Sequence, residues 1–481
     1  MSDFDNLDHF EHAFSDTLLG ALLAAGCSSE SQEPGPLPVP CSAENTVAGV
    51  CAGVPAGALC DQEICATSGC SQVAVVGNDA ELTSALAGAA AGSCVALRPG
   101  SYAEARLPAG VSLLGRGADF VTVGLVELGA GDGAAVRGLG VGAGGIKIDG
   151  ATNAKIEAVR IGGSAGNGVE ITAGSSVTIV GSTVQGSGKY GVSAFDAARI
   201  SIDKSIIAGS KGPGLWAQCQ GGCKCAGTKI EASVTASIIR DNKIVGVSLV
   251  GAKGKFDAVD IAANTVDPSF TPGGGLSVSG CSELDASGVR VLDNTNFGVL
   301  IDDSSATLSG SVEISRNLLG IWVQHIGKSG AAQVALESCT LAGNTGVGVG
   351  IDGASSSVTI AQSVIRDTSL IDLPVLVGGV SAGAKKVGDG LNWLGVSQVS
   401  IQGLTVSGSA RQSVLIDGAV ADGSTIADAQ LEGGDEGKGI LQQNLADGGL
   451  KPTMSGTTPA LQTSADEQFA VPQSVTIPPQ I

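Results

Sequence analysis

The chain has 481 residues, of which 43% are hydrophobic and 3% aromatic, with 74 glycines and a formal net charge of −20. That apolar share belongs to a folded chain and not to a disordered one. The charge argues against nucleic acid and anionic lipid surfaces as partners. It also opposes polyanionic glycans unless a divalent cation such as calcium bridges the charges.

Residues 18–27 read LLGALLAAGC and are followed by SSESQEPGPLPVP. This resembles a bacterial lipoprotein signal: a short apolar run, a small-residue site ending at Gly26-Cys27, then a Ser/Pro tether. The resemblance implies a lipid on Cys27, a cell-envelope or secreted location, and membrane contact through that anchor alone. Residues 1–17 carry Asp3, Asp5, Asp8, Glu11 and Asp16 and no Lys or Arg. An export signal has a basic segment there, so a cryptic or absent signal is the other reading of residues 1–27.

Residues 28–78 read as the tether and a cysteine-rich segment with Cys41, Cys51, Cys60, Cys65 and Cys70. The spacings are long and irregular, and no His lies nearby. Disulfides fit this better than zinc, and they imply an extracytoplasmic compartment. Five is an odd number, so Cys94 is a candidate sixth partner that would pin the segment onto the start of the next domain. The pairing is otherwise open.

Residues 154–197 organise the rest. They hold two copies of one unit, AKIEAVRIGGSAGNGVEITAGS and SVTIVGSTVQGSGKYGVSAFDA. Each has an alternating strand, a small-residue corner and a Gly-Val step into another strand. The period is about 22 residues, in the range of stacked repeats. Period-two apolar alternation broken by Gly, Ser, Asn and Asp is strand-and-turn chemistry. One unit cannot bury its apolar face, whereas stacked units can. Later units carry an Asn before the Gly-hydrophobic step: Asn242, Asn264, Asn294, Asn317 and Asn344. These are expected to take the left-handed backbone of a tight corner and to stack as a ladder. Ser182, Ser205, Ser237, Cys339 and Ser363 are expected to form a second column, with Cys339 a small buried rung and not a nucleophile.

These repeats resemble right-handed parallel β-helix proteins of the pectate-lyase-like superfamily. Residues 79–124 are similar to the usual opening of such a solenoid, with a capping helix, LRPGSY and GVSLLGRG. The expected fold is all-β: a right-handed parallel β-helix over 79–445 with a short N-terminal capping helix near 79–91. The helix proper, over 95–445, should hold roughly a dozen coils. Residues 446–481 read as a Pro-rich tail that covers the last coil. The resemblance is specific for fold and weak for activity.

Insertions in a solenoid map to surface loops, where function concentrates. Candidates are 211–229, with Cys219, Cys223 and Cys225, and 264–275, 325–333 and 369–395. The three cysteines fit an intra-loop disulfide with a spare thiol better than a metal site. Asp149, Asp302, Asp352 and Asp417 each follow Ile in one register. Turn formation explains them, and Gln324 separates Asp302 from Asp352, so no dense calcium site is forced. Trp216 and Trp322 occupy equivalent coil positions, as ligand-stacking platforms or as structural fillers.

One catalytic cluster stands out. His325 lies about one coil after Asp303, so stacking brings Asp302, Asp303 and His325 together. Polygalacturonases of the superfamily also use an Asp pair with a His about one coil later, so the resemblance implies acid–base roles for these three. Their flanking Asn-Thr-Asp, Gly-His-Gly and Arg-Ile-Lys patterns are absent here. Arg290 and Arg316 lie near these coils without a matching motif. No metal or cofactor is expected. Three functions compete: a non-catalytic envelope protein whose loops present to polysaccharide or to another protein, a polysaccharide lyase or glycoside hydrolase using the cluster, and a surface adhesin.

Overall fold

The computed structural model describes residues 46–47, 50–51 and 70–471, apart from 173, 197, 220–228, 268–272, 326–330, 354–355, 378–379, 433–438 and 470. The chain winds as a right-handed parallel β-helix. Face one is a 16-stranded parallel sheet running from Val73–Val76 to Thr453–Ser455. Face two is built of three-residue strands such as Arg160–Gly162, Ile238–Arg240 and Thr340–Ala342. Face three holds strands such as Val169–Thr172, Phe297–Asp302 and Ile440–Gln443. In the coil over Gly140–Asp149 one strand serves faces two and three, pairing Gly140 with Arg160 and Ile146 with Val169.

Alternation places Val, Ile and Leu of every coil in one continuous core, from Val76 to Ile440. On face one it is regular. Ser305–Ser309 and Ser357–Ala361 turn Ala306, Leu308, Val358 and Ile360 inward and the intervening residues to solvent. The chain turns between faces one and two through left-handed residues, including Ala158 (φ 50°), Lys204 (φ 48°) and Ala236 (φ 46°).

The asparagine ladder forms as expected. From Asn264 to Asn344, Oδ1 of each Asn accepts from both the backbone N–H and the Nδ2 of the Asn one coil before, while Asn242 Oδ1 accepts from Ser210 N–H. Asn264 Oδ1 serves Asn242 at 3.1 and 3.2 Å, and Asn317 Oδ1 serves Asn294 at 3.0 and 3.0 Å. The backbone detail differs. The left-handed residue is the one before the ladder, as at Asp241, Asp293 and Arg316. The Asn side chain can then turn inward to its neighbours. The ladder also explains the Gly-hydrophobic step. A Cβ on Gly246 would sit 2.6 Å from Asn264 Nδ2, and one on Gly298 would sit 2.6 Å from Ile314 Cγ2. Only glycine lets the backbone pass that close.

The serine column forms in two pieces. Ser182 N–H donates to Ser205 Oγ at 3.2 Å, Ser205 to Ser237 at 3.1 Å, and Cys339 to Ser363 at 3.1 Å. Between Ser237 and Cys339 the register places Val259, Val289 and Val312. Apolar packing replaces hydroxyl bonding there. Cys339 is a buried free thiol, pushed up to about 11 by burial.

The capping helix is Asp79–Ala87. Asn78 Oδ1 accepts from Glu81 N–H at 3.0 Å, and Asn78 Nδ2 donates back to Glu81 at 2.8 Å, a reciprocal cap. Leu82 and Leu86 close the core end. The stack extends past both limits of the expected 79–445. Strand Val73–Val76 pairs with Cys94–Leu97 ahead of the helix, because the Cys70–Cys94 disulfide and a set of backbone bonds hold it there. At the other end Thr453–Ser455 pairs with Thr425–Ala427, and Gln462–Thr463 with Leu441–Gln442. Half of the expected tail is therefore coil.

Candidate functional site

The coil register does bring Asp303 and His325 together. Asp303 ends face three in a left-handed corner (φ 48°), one coil before His325. Its side chain is only 3% exposed, and its Oδ1 is bonded to His325 Nδ1. His325 keeps 27% of its side chain exposed. A buried carboxylate on Nδ1 fixes the imidazole and leaves Nε2 as the other functional nitrogen. Asp302, the last residue of its strand, is the register neighbour of Gln324, which is in turn the neighbour of Asp352. Asp417 shares that column and accepts from Gln443 Nε2 at 3.2 Å.

Arg290 and Arg316 do not join this group. Arg290 Nε donates to Asp260 Oδ1 at 2.7 Å, and Arg316 donates to both oxygens of Asp293 at 2.6 and 2.7 Å. These hydrogen bonds raise both guanidinium pKa values.

The stacking platforms also read differently in space. Trp322 is fully buried and belongs to a second apolar cluster on the outer side of face three, with Phe297, Leu300, Leu319, Val347 and Val387. Its ring lies across Gly350, where a Cβ would fall 2.0 Å from Cε3. No face of the indole is open to a sugar. Trp216 is 7% exposed, stacks on Tyr190 with ring centroids 5.4 Å apart, and donates Nε1–H to Gln218 at 2.8 Å. Both tryptophans act as structural fillers, because face three is covered on its outer side as well as its inner side.

Of the cysteine candidates, Cys94, offered as a partner for the segment with the pairing left open, bonds to Cys70. Cys219 is disulfide-bonded, and so is Cys281, which the sequence reading did not place among the candidates. Cys27, Cys41, Cys60, Cys65, Cys223 and Cys225 lie outside the described residues, and Cys51 is placed only as part of a short strand. Among the described residues no three His, Cys, Asp or Glu side chains are arranged to hold a metal ion.

Two features escaped the sequence reading. The first is a buried ion pair. Arg411 donates Nε–H to Asp389 Oδ1 at 3.0 Å and also bonds its Oδ2, with both side chains at most 2% exposed. Burial pushes the Asp389 carboxyl above its ordinary range, while the bonds from Arg411 pull it back down. Arg411 also holds the carbonyl of Lys386, at the end of the hairpin Ile371–Val377/Val380–Val387. The available signal was Asp389 itself, a charge at a register position that Phe297, Leu319 and Val347 fill in earlier coils.

The second is a trough of about 660 Å³ on the outside of face one. Ser176, Thr178, Ser201, Ser233 and Ser305 floor it with hydroxyls, between Arg199, Glu231, Lys253, Lys255, Glu283 and Asp285. Arg199 pairs with Glu231 at 3.1 Å and Lys253 with Glu283 at 3.2 Å. Lys255 and Asp285 are register neighbours on the sheet. Three cations and three anions leave the trough locally neutral on a strongly acidic chain. It runs over five coil steps, or roughly 24 Å at the spacing of adjacent strands.

The family model described as the right handed beta helix region matches residues 135–266 and 224–381. No curated protein sequence matches the chain. Among solved structures the chain is similar to the catalytic domain of a GH87 alpha-1,3-glucanase in complex with nigerose, at 10% identity and a TM-score of 0.41. That match takes in 70% of this chain and 65%, just under two thirds, of the other. It is similar to the mannuronan C-5 epimerase AlgE4 A-module of Azotobacter vinelandii at 14% identity, covering 82% of this chain and 96% of that one, with a TM-score of 0.32. The catalytic unit of a thermostable GH87 alpha-1,3-glucanase from Streptomyces thermodiastaticus strain HF3-3 matches at 13% identity, 83% and 69% coverage, and a TM-score of 0.36.

Proposed function

The chain belongs to the right-handed β-helix family, and from that premise we propose that it is a non-catalytic, rod-shaped binding protein of the cell envelope. Its ligand is an uncharged polysaccharide laid along face one. The observation that carries this reading is the trough, with hydroxyls from four of its six coils and no net local charge. An uncharged polyhydroxyl chain can trade hydrogen bonds with such a floor without meeting the repulsion that a net charge of −20 imposes on acidic glycans. A lipid on Cys27 and the disulfide-bonded segment after it belong to the same proposal, as the tether of the rod.

Affinity electrophoresis of the full chain tests it. Gels containing neutral glucans should retard the protein, and gels containing polygalacturonate should not. Ser233→Trp, which fills the trough floor, should abolish the retardation. Equal retardation of that variant, or none by any neutral polysaccharide, would sink the proposal.

The Asp303–His325 contact favours a second reading, in which an oriented imidazole acts as general base on a glycan. It predicts released reducing ends or unsaturated products that disappear in Asp303→Asn and His325→Ala while the fold survives.

A further inference from the structure

One acidic group of the trough on face one is held still from behind. Lys229 stands just ahead of strand Ile230–Thr235, two coil steps before Glu283. Its side chain is 11% exposed, and its Nζ donates to the Cys281 carbonyl at 2.7 Å and to Glu283 Oε1 at 2.5 Å. Lys253, the register neighbour of Glu283, reaches Oε2 at 3.2 Å. The hydrogen bond from Lys229 holds the Glu283 carboxyl below its ordinary range, burial opposes it, and the bond from Lys253 adds to the lowering. Each carboxylate oxygen is therefore fixed by its own ammonium group. Glu231, also in the trough, differs. It meets Arg199 at 3.1 Å with both side chains more than half exposed, and an ion pair of that kind sets little geometry.

The held carboxylate still has acceptors to offer. Its two oxygens carry about four lone-pair sites, of which Lys229 and Lys253 take one on each oxygen. Glu283 lines the trough and keeps 47% of its side chain exposed. Two adjacent acceptors thus face the ligand at a set angle, whereas the serine and threonine hydroxyls of the floor can rotate. An uncharged ligand matches two adjacent acceptors with two adjacent O–H donors. In a polysaccharide that group is a vicinal diol, two neighbouring ring carbons that both keep free hydroxyls. Hydrogen bonds to an ionised acceptor are also about twice as strong as those between neutral groups.

We propose that Glu283 determines the specificity of the trough by selecting polysaccharides with free vicinal diols, and that Lys229 is the residue that positions it. This rests on the reading of face one as a glycan-binding surface and narrows the ligand within it.

Affinity electrophoresis of the full chain tests this with one neutral polymer in two forms: glucomannan, before and after periodate oxidation and borohydride reduction. Oxidation opens the vicinal diols, and reduction leaves the chain uncharged. The wild-type protein should bind the native form at least about tenfold more tightly than the opened form, the scale of hydrogen bonds to a charged group. Oxidation also loosens the chain, so Glu283→Gln supplies the control. It keeps the shape of the side chain, loses the paired acceptors, and should bind the two forms almost equally. The same loss on oxidation in wild type and Glu283→Gln overturns the proposal and leaves neutral-glycan binding standing. So does retardation by other neutral polysaccharides but not by native glucomannan. Retardation by no neutral polysaccharide removes the underlying reading as well. Lys229→Met keeps the carboxylate without its anchor, and its preference for the native form should shrink towards that of Glu283→Gln. That preference is a ratio, which a general loss of stability does not move. A Lys229→Met protein as selective as wild type overturns the positioning role.

Discussion

Faces one and three share a backbone plan and differ in what lies outside them. On face one, short polar side chains point into solvent, and every second residue of Glu283–Ser287 and Ser357–Ala361 is wet. On face three, strands such as Leu319–Gln324 and Asp389–Leu394 are buried along their whole length. Ile371 and Val387, at the two ends of the hairpin, pack against its outer cluster, and Phe469 is bonded to Gln443 of its last strand. The same coil thus yields an open polar surface on one side and a two-sided core on the other. Insertions decide which, because they supply the cover.

That contrast predicts unequal responses to substitution. The largest belong to face three. Arg411→Ala leaves Asp389 as an uncompensated buried charge and should cost about 3–5 kcal/mol in denaturant unfolding. Trp322→Ala empties the outer cluster and should cost about 3–5 kcal/mol, more than Trp216→Ala, whose ring is less completely buried. At the corner between faces two and three, Asn317→Ala deprives both ladder neighbours and should cost about 1–3 kcal/mol. An unchanged midpoint there would mean that backbone bonds alone hold the corner. On face one, Ser233→Ala should stay within about 0.5 kcal/mol. If it proved as costly as Asn317→Ala, the two faces would not differ in the way described.

The core, the ladder and the Gly-hydrophobic step were legible in the sequence because each is local and repeats. Asn264 can be aligned with Asn294 without any coordinates, and glycine beside it follows from the space the amide takes. Counting pointed to Cys94 as a partner for the cysteine-rich segment but not to Cys70 as the residue it bonds. The cover on face three was not legible. Trp322 reads as an outward residue, and an apolar cluster that draws in Val387 and Ile371 from the hairpin makes it a buried one. The Asp389–Arg411 pair was missed for a related reason. Its partners lie 22 residues apart, one ordinary coil, but the hairpin inserted ahead of Asp389 hides which position of the coil that residue fills. Asp302, Asp303 and His325 were placed correctly in the stack. Spacing brings Asp303 to His325 and sets Asp302 beside Gln324, but it does not say which of the carboxylates bonds the imidazole.

Incubation of the purified full chain with a panel of neutral and acidic polysaccharides, with and without calcium, bears most directly on the account. Reducing ends and unsaturated products are the quantities to follow. The account predicts retention on neutral polysaccharides with no release above a heat-denatured control. Release that Asp303→Asn and His325→Ala both abolish, with the β-helix intact, would contradict it and make the corner of face three an active site.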